Sequence, residues 1–330
     1  MRHILIQPFR HVFWIWIGIP LFAAFFPFVC FAKENHGSFN LTFENDIFAL
    51  TDSYYTNGVN LTWMLSLPTE SEGKPTRTLR LSAGQIMYTP EDITLETNPG
   101  DRPYAGIAYL GVGFEQKQSS QSTLVQGEFG VVGPNSYAGD MQKFVHLLFD
   151  YDLPKGWDNQ LRAGPAVTLW GSHKRRIAAG SFNRIWSYEI LGHVSAGLGN
   201  VAAAAAGGME VRAGFNMKKT LGTFYIRPGS EGGTALIEGY APSIQRGSFG
   251  FQVFFFAGGN AVLQNIFLDG TRRDNSTGVS KNNFFGNLIL GIDLRWKKLF
   301  FRYSYVLNTR QFESQPRNHI FGSLGLGLTW

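Results

Sequence analysis

The stretch from Ile320 to Trp330, IFGSLGLGLTW, decides how the rest of the chain is read. On an extended backbone Ile320, Leu324, Leu326, Leu328 and Trp330 fall on one face. Phe321, Ser323, Gly325, Gly327 and Thr329 fall on the other, and all but Phe321 are small or polar. Side chains of a strand take opposite faces in turn, so strict alternation is a strand's period. An apolar face ending on an aromatic, backed by small and polar residues, is the pattern of the closing strand of a bacterial outer-membrane barrel. A soluble edge strand shares that alternation, so the choice rests on the remainder of the chain.

The same pattern recurs upstream. Val59, Leu61, Trp63, Leu65 and Leu67 alternate with Asn60, Thr62, Met64 and Ser66. Twelve strands are predicted, near 38–48, 55–67, 78–88, 103–116, 121–132, 160–172, 182–199, 202–215, 247–267, 284–296, 299–312 and 317–330. An even count is what a bacterial barrel requires. The fold class expected is therefore all-β, a transmembrane antiparallel β-barrel of about twelve strands. Composition fits: charged residues make up 16% of the chain and aromatics 15%, with 39 glycines, as lumen-facing small residues and aromatic girdles would produce. The net charge of +5 suits anionic lipid headgroups or plain solubility equally, and no nucleic-acid motif is present.

The N-terminus reads as a targeting segment. Arg2, His3 and Arg10 precede an apolar stretch from Val12 to Phe31, and Cys30, Phe31 and Ala32 form an approximate cleavage site before Lys33. Residues 1–32 are expected to be a signal peptide and 33–330 the barrel, although the apolar stretch is also long enough for an uncleaved membrane helix. Cys30 is the only cysteine, so the mature chain would have neither a disulfide nor a thiol nucleophile.

With a periplasmic N-terminus, the loops after odd-numbered strands face outward: 47–54, 89–102, 133–159, 200–201, 268–283 and 313–316. The long segment 216–246 fits poorly, because parity places it on the side where turns are short. Parity also puts His173 at a periplasmic turn. The 133–159 loop holds one short helical pattern, from Asp140 as N-cap to about Phe149, on which Gln142 and His146 share a face.

Candidate chemistry gathers at the outer rim. Glu44, Asn45 and Asp46 end the first strand, and Thr51 to Gly58 open the second. His146 on the loop helix, followed by Asp150 and Asp152, could overhang them. Taken singly, rim carboxylates and amides are ordinary loop-capping residues, a lone loop His is ordinarily a surface residue, and Trp157 reads as an interfacial aromatic after a turn. Together, hard oxygen ligands and one imidazole at lipid level suggest a calcium-assisted ester hydrolase. No GxSxG elbow and no HExxH helix is present. A non-enzymatic porin or structural barrel and a barrel phospholipase with a Ser nucleophile stay open on these residues.

Eight short motifs then occur in one order: FENDIF at 43–48, TDSYYTNG at 51–58, DRPYAG at 101–106, GVVGP at 130–134, Gln142 with His146, PKGWDNQL at 154–161, FLDG at 267–270 and NTRQFESQ at 308–315. In this order they resemble the outer-membrane lipid A 3′-O-deacylases over the whole of the mature chain. The resemblance implies calcium-dependent hydrolysis of the 3′-acyloxyacyl ester of lipid A, with lipopolysaccharide and outer-membrane lipids as partners. His146 matches the general base, Asn45 and Asp46 a rim pair, Thr56 a hydroxyl near the site and Gln142 an amide one turn before the His. Asp46 and Asp152 match metal positions, with Asp150 a competitor for the second. Some members of that family also carry a basic residue soon after the third strand. Glu91 to Asn98 contains none, and Arg102 is the nearest substitute. A site between wall and helix further requires a bulge or strand end near Asp46, because an unbroken strand would turn Asp46 inward beside Glu44.

Overall fold

The computed structural model describes residues 37–49, 54–67, 76–217, 221–222, 224–227, 235–237, 249–270 and 278–330. The signal peptide expected at 1–32 lies outside the described residues.

Twelve antiparallel strands close into one barrel. They are β1 (Gly37–Asn45), β2 (Tyr54–Leu67), β3 (Thr76–Thr89), β4 (Ala105–Lys117), β5 (Gln121–Val132), β6 (Gly164–Ser181), β7 (Trp186–Gly199), β8 (Ala202–Phe215), β11 (Phe249–Asn265), β12 (Phe284–Trp296), β13 (Leu299–Asn308) and β14 (His319–Thr329). Two three-residue strands, β9 (Phe224–Ile226) and β10 (Ala235–Ile237), pair separately. Each barrel strand pairs with its sequence neighbour except at two places. β8 pairs with β11 across the β9–β10 segment, and β1 pairs with β14 to close the seam, Phe39 against Leu328 and Leu41 against Leu326. Trp330 completes the seam by donating its N–H to the Gly37 carbonyl at 3.1 Å and packing edge-on against Trp63 at 5.6 Å.

The alternation of the sequence becomes two environments. On β4, Leu110, Val112 and Phe114 are exposed on the outer wall while Tyr109 and Glu115 are buried in the lumen. A barrel of this size has an interior that side chains can fill. Here they fill it with paired charges. Arg302 donates to Asp293 at 2.6 Å, Arg176 and Arg212 share Glu189, and His193 meets Glu210 at 2.9 Å. At the outer mouth α2 (Ile266–Asp269) and the 309–318 loop close the lumen. Asn265 caps α2 by accepting the Phe267 N–H, Phe267 stacks on Tyr88 at 4.5 Å, and Phe312 packs on Tyr54 at 5.8 Å. The FLDG and NTRQFESQ motifs therefore belong to the seal of the lumen.

The strand order keeps the long 216–246 segment where parity placed it, between the eighth and ninth barrel strands. After β8 the chain turns back into the barrel: the Arg227 guanidinium pairs with Glu128 and lies 4.9 Å over the Tyr109 ring, both lumen-facing. The described residues 224–227 thus plug the lumen, and the count of twelve barrel strands stands.

Three local expectations are corrected. β6 runs on to Ser181, with a bulge between Arg176 and Ala178, so His173 sits within a strand opposite Thr123 and the turn lies at 182–185. Beyond the hydrocarbon no selection keeps one face apolar, and the alternation that marks a strand fades. β6 also begins later than expected, because Gly156–Asn159 forms a 3-10 turn first. Finally, the loop helix α1 (Ala138–Phe149) starts two residues before Asp140, and its N-cap is Tyr137 in the left-handed conformation. Asp140 stands in the first turn, where a carboxylate complements the positive end of the helix dipole.

Candidate active site at the barrel rim

β1 ends at Asn45, and the chain passes directly into a 3-10 turn, Asp46–Ala49. One backbone N–H gathers the rim pair: that of Ile47 donates to Asn45 Oδ1 at 2.8 Å and to Asp46 Oδ1 at 2.9 Å. The strand end is what keeps Asp46 from following Glu44 inward. Glu44 instead accepts the Tyr55 hydroxyl at 2.7 Å inside the lumen. Opposite, β2 carries a bulge between Tyr55 and Asn57, and the extra residue is Thr56. Its carbonyl accepts from Asn45 Nδ2 at 2.8 Å, and its hydroxyl shares a hydrogen bond of 2.7 Å with that of Thr89. Strand end and bulge together re-aim the rim, as the site requires. Asn45 is thus a clasp, its oxygen on Ile47 and one N–H on Thr56.

α1 forms the other wall. Its first turn packs closely: Gly139 sits against the indole of Trp157, where a Cβ would lie 2.8 Å from the ring. Trp157 is 2% exposed, so it is an internal support of the helix and not the interfacial aromatic expected. Its indole N–H donates to Gln142 Oε1 at 2.6 Å. An indole nitrogen is only a donor, so the amide is oriented: oxygen on Trp157, NH2 turned away from it. One turn on, His146 Nδ1 lies 2.5 Å from the backbone carbonyl of Asp152. A carbonyl only accepts, which places the proton on Nδ1 and the lone pair on Nε2. Asp150, with φ 58°, caps the helix and lets the chain fold back to make this contact.

A groove of about 1220 Å³ lies between these walls. It is lined by Asn45, Asp46, Thr56, Gln142, His146 and Asp152, so these six meet in one cavity. Asp150 is not among the lining residues, which separates it from Asp152. Phe43, Leu61, Leu110 and Phe129, all on the outer wall, supply an apolar floor. Glu91, Asp92, Ile93 and Thr94 close a third side. That loop is held by Tyr104, whose hydroxyl donates to the Ile93 carbonyl at 3.1 Å and which burial pushes up to about 12. Bonds from the Thr94 hydroxyl and N–H hold Asp92 below the ordinary carboxylate range, whereas burial pushes Asp101 above it against bonds from the Glu91 and Arg102 N–H groups.

One expectation fails. Arg102 does not reach the rim: it is 1% exposed, with its guanidinium 4.5 Å over the Tyr88 ring. Trp157, read from the sequence only as an interfacial aromatic, holds Gln142, and Thr89, which was not singled out, holds Thr56. Each is distant in sequence from the residue it holds, and only the pairing of loops and strands brings them together. Among the described residues no three His, Cys, Asp or Glu side chains surround one point.

A groove on the outside of a barrel wall, floored by lipid-facing side chains and edged by an imidazole and carboxylates, defines an outer-membrane protein that works on lipid. The chain belongs to the LpxR family of outer-membrane proteins, whose model matches residues 18–330, and thus to the lipid A 3′-O-deacylases of the outer membrane. Among solved structures it is similar to LpxR from Salmonella typhimurium, with TM-score 0.72 and 19% identity over 88% of this chain and 99% of that one. The β domain of the Bordetella autotransporter BrkA matches at TM-score 0.46 and 13% identity, covering 90% of this chain and 99% of that one. Comparison with curated protein sequences finds no match.

Proposed function

We propose that this chain is a carboxylic ester hydrolase that removes the 3′-acyloxyacyl group of lipid A by water attack, with His146 as general base and calcium as cofactor. The observation that carries this reading is the hydrogen bond from His146 Nδ1 to the Asp152 carbonyl, which leaves Nε2 as the basic atom in a groove floored by the outer wall.

The chemistry then follows from the lining. The acyl chains lie along Phe43, Leu61, Leu110 and Phe129, and the ester sits at the rim. Water adds to the ester carbonyl carbon as its proton passes to His146 Nε2. The oxyanion that forms meets the NH2 of Gln142, a donor pre-set by Trp157. Collapse breaks the bond to the sugar 3′-oxygen, which takes the proton back from His146, and the fatty acid leaves. No serine lines the groove among the described residues, so a water nucleophile fits better than the serine of a barrel phospholipase.

The donors suit calcium in kind, since it takes carboxylate, amide, hydroxyl and backbone oxygens together. Asp46, 2% exposed on the groove wall, and Asp152 are the carboxylates that would hold it, with Thr56 beside them. Bound there, calcium would polarise the ester carbonyl as a Lewis acid.

The test is to incubate detergent-purified protein with hexa-acylated lipid A, with calcium or with chelator, and to weigh the products by mass spectrometry. Loss of one 3′-acyloxyacyl unit only with calcium supports the reading. In a folded barrel, His146→Ala should abolish it, and full activity of that variant would remove His146 from the mechanism.

A further inference from the structure

The outer helix α1 is apolar on both of its sides. Toward the groove it turns Met141 and Val145 beside Gln142 and His146. Away from the groove it turns Phe144, Leu147 and Leu148, which share a face by their spacing and are 52%, 68% and 65% exposed. The turn beyond adds Phe149 and Leu153, both exposed, while Tyr151 between them lines the groove and packs edge-on against the His146 ring at 5.8 Å. The helix's carboxylate and ammonium, Asp140 and Lys143, belong to its first half. Three large apolar side chains exposed together on one face are stable where apolar matter covers them, and water does not supply that.

What surrounds it is set by continuity. The floor of the groove under α1 is the outer wall at Phe43, Leu61, Leu110 and Phe129, a surface that faces hydrocarbon. The exposed face of α1 prolongs that surface outward past the rim. We propose that the second half of α1, with the turn through Leu153, is immersed in the acyl chains of the outer leaflet, so that lipid covers the far side of the helix as well as the mouth of the groove. The aromatics Phe144 and Phe149 then sit at the level of an interfacial belt, and Lys143 extends its stem through the apolar layer to carry its charge to the headgroups. The inference rests on the outer-membrane location and not on hydrolysis, so its failure and that of the catalytic reading are separable.

The test reads depth. Cys30 is the only cysteine, so a Cys30→Ser background accepts a single label. An environment-sensitive fluorophore is placed through Leu147→Cys, with Glu313→Cys on a neighbouring exposed rim loop as the reference, in proteoliposomes of lipopolysaccharide and phospholipid. Immersion predicts a blue-shifted emission at 147, quenched by spin labels on the acyl chains and insensitive to iodide, with the reverse at 313. Iodide quenching at 147 equal to that at 313 overturns the proposal. So does a blue shift that disappears on dilution to one chain per vesicle, since a second copy would then be the cover. Leu148→Cys repeats the measurement should the first variant fail to fold.

Discussion

The indole N–H of Trp157 donates to Oε1 of Gln142 across 2.6 Å, and both side chains are shielded from water. The bond fixes which end of the amide faces the groove. Trp157→Phe keeps most of the packing under α1 and removes only that bond. We expect roughly tenfold lower kcat with little change in KM, because a donor held for the transition state is lost to rotation. Gln142→Ala should cost more, about 10²-fold in kcat. Kinetics on lipid A in mixed micelles checks both, and a change confined to KM would contradict the role.

Asp46→Asn keeps an oxygen for the Ile47 N–H but removes the charge from the groove wall. The expected outcome is weaker calcium binding with the barrel intact. Terbium luminescence or calorimetry on the purified protein reads it without turnover. Unchanged binding would transfer the ion to other oxygens.

Arg227 ties the plug to the lumen through Glu128 and Tyr109. Breaking a buried ion pair by removing one partner costs roughly 3–5 kcal/mol, because the other charge stays behind unpaired. Arg227→Ala should loosen the plug, seen as higher conductance in planar bilayers, and should leave deacylation unaffected, since the groove lies outside the wall. Silent bilayers for both proteins would mean that the remaining lumen pairs seal the barrel without it.

The 90–104 loop should respond to acid in an unusual direction. Burial raises Asp101 above its ordinary value of 3.8, so its contribution is complete below that value and is lost as pH rises through the folded one. Hydrogen exchange at the Glu91 and Arg102 amides, corrected for intrinsic rate, should show opening increase across that step. In Asp101→Asn the step should vanish.

The strands were legible because a membrane enforces their period: wherever lipid touches one face, as at Leu110, Val112 and Phe114, polar residues are excluded from it. Where that pressure ends, the reading ended too, at the water-side extension of β6. The rim chemistry was legible as residue types, since Asn45, Asp46, Thr56, Gln142, His146 and Asp152 do meet. Their supports were not. Nothing local marks Trp157 as the partner of Gln142, Thr89 as that of Thr56, or Arg227 as a lumen anchor, because each contact is made by the closing of the barrel and its loops. Arg102 misled for the same reason: a guanidinium beside a rim motif and one packed under the lumen's seal look alike in sequence.

The groove floor of Phe43, Leu61, Leu110 and Phe129 has a kinetic meaning. A substrate that arrives along this wall never leaves its leaflet, so its encounters are two-dimensional. The quantity that saturates such an enzyme is the mole fraction of lipid A in the surface. Diluting the surface with an inert lipid should slow turnover even when the amount of lipid A per volume is held constant.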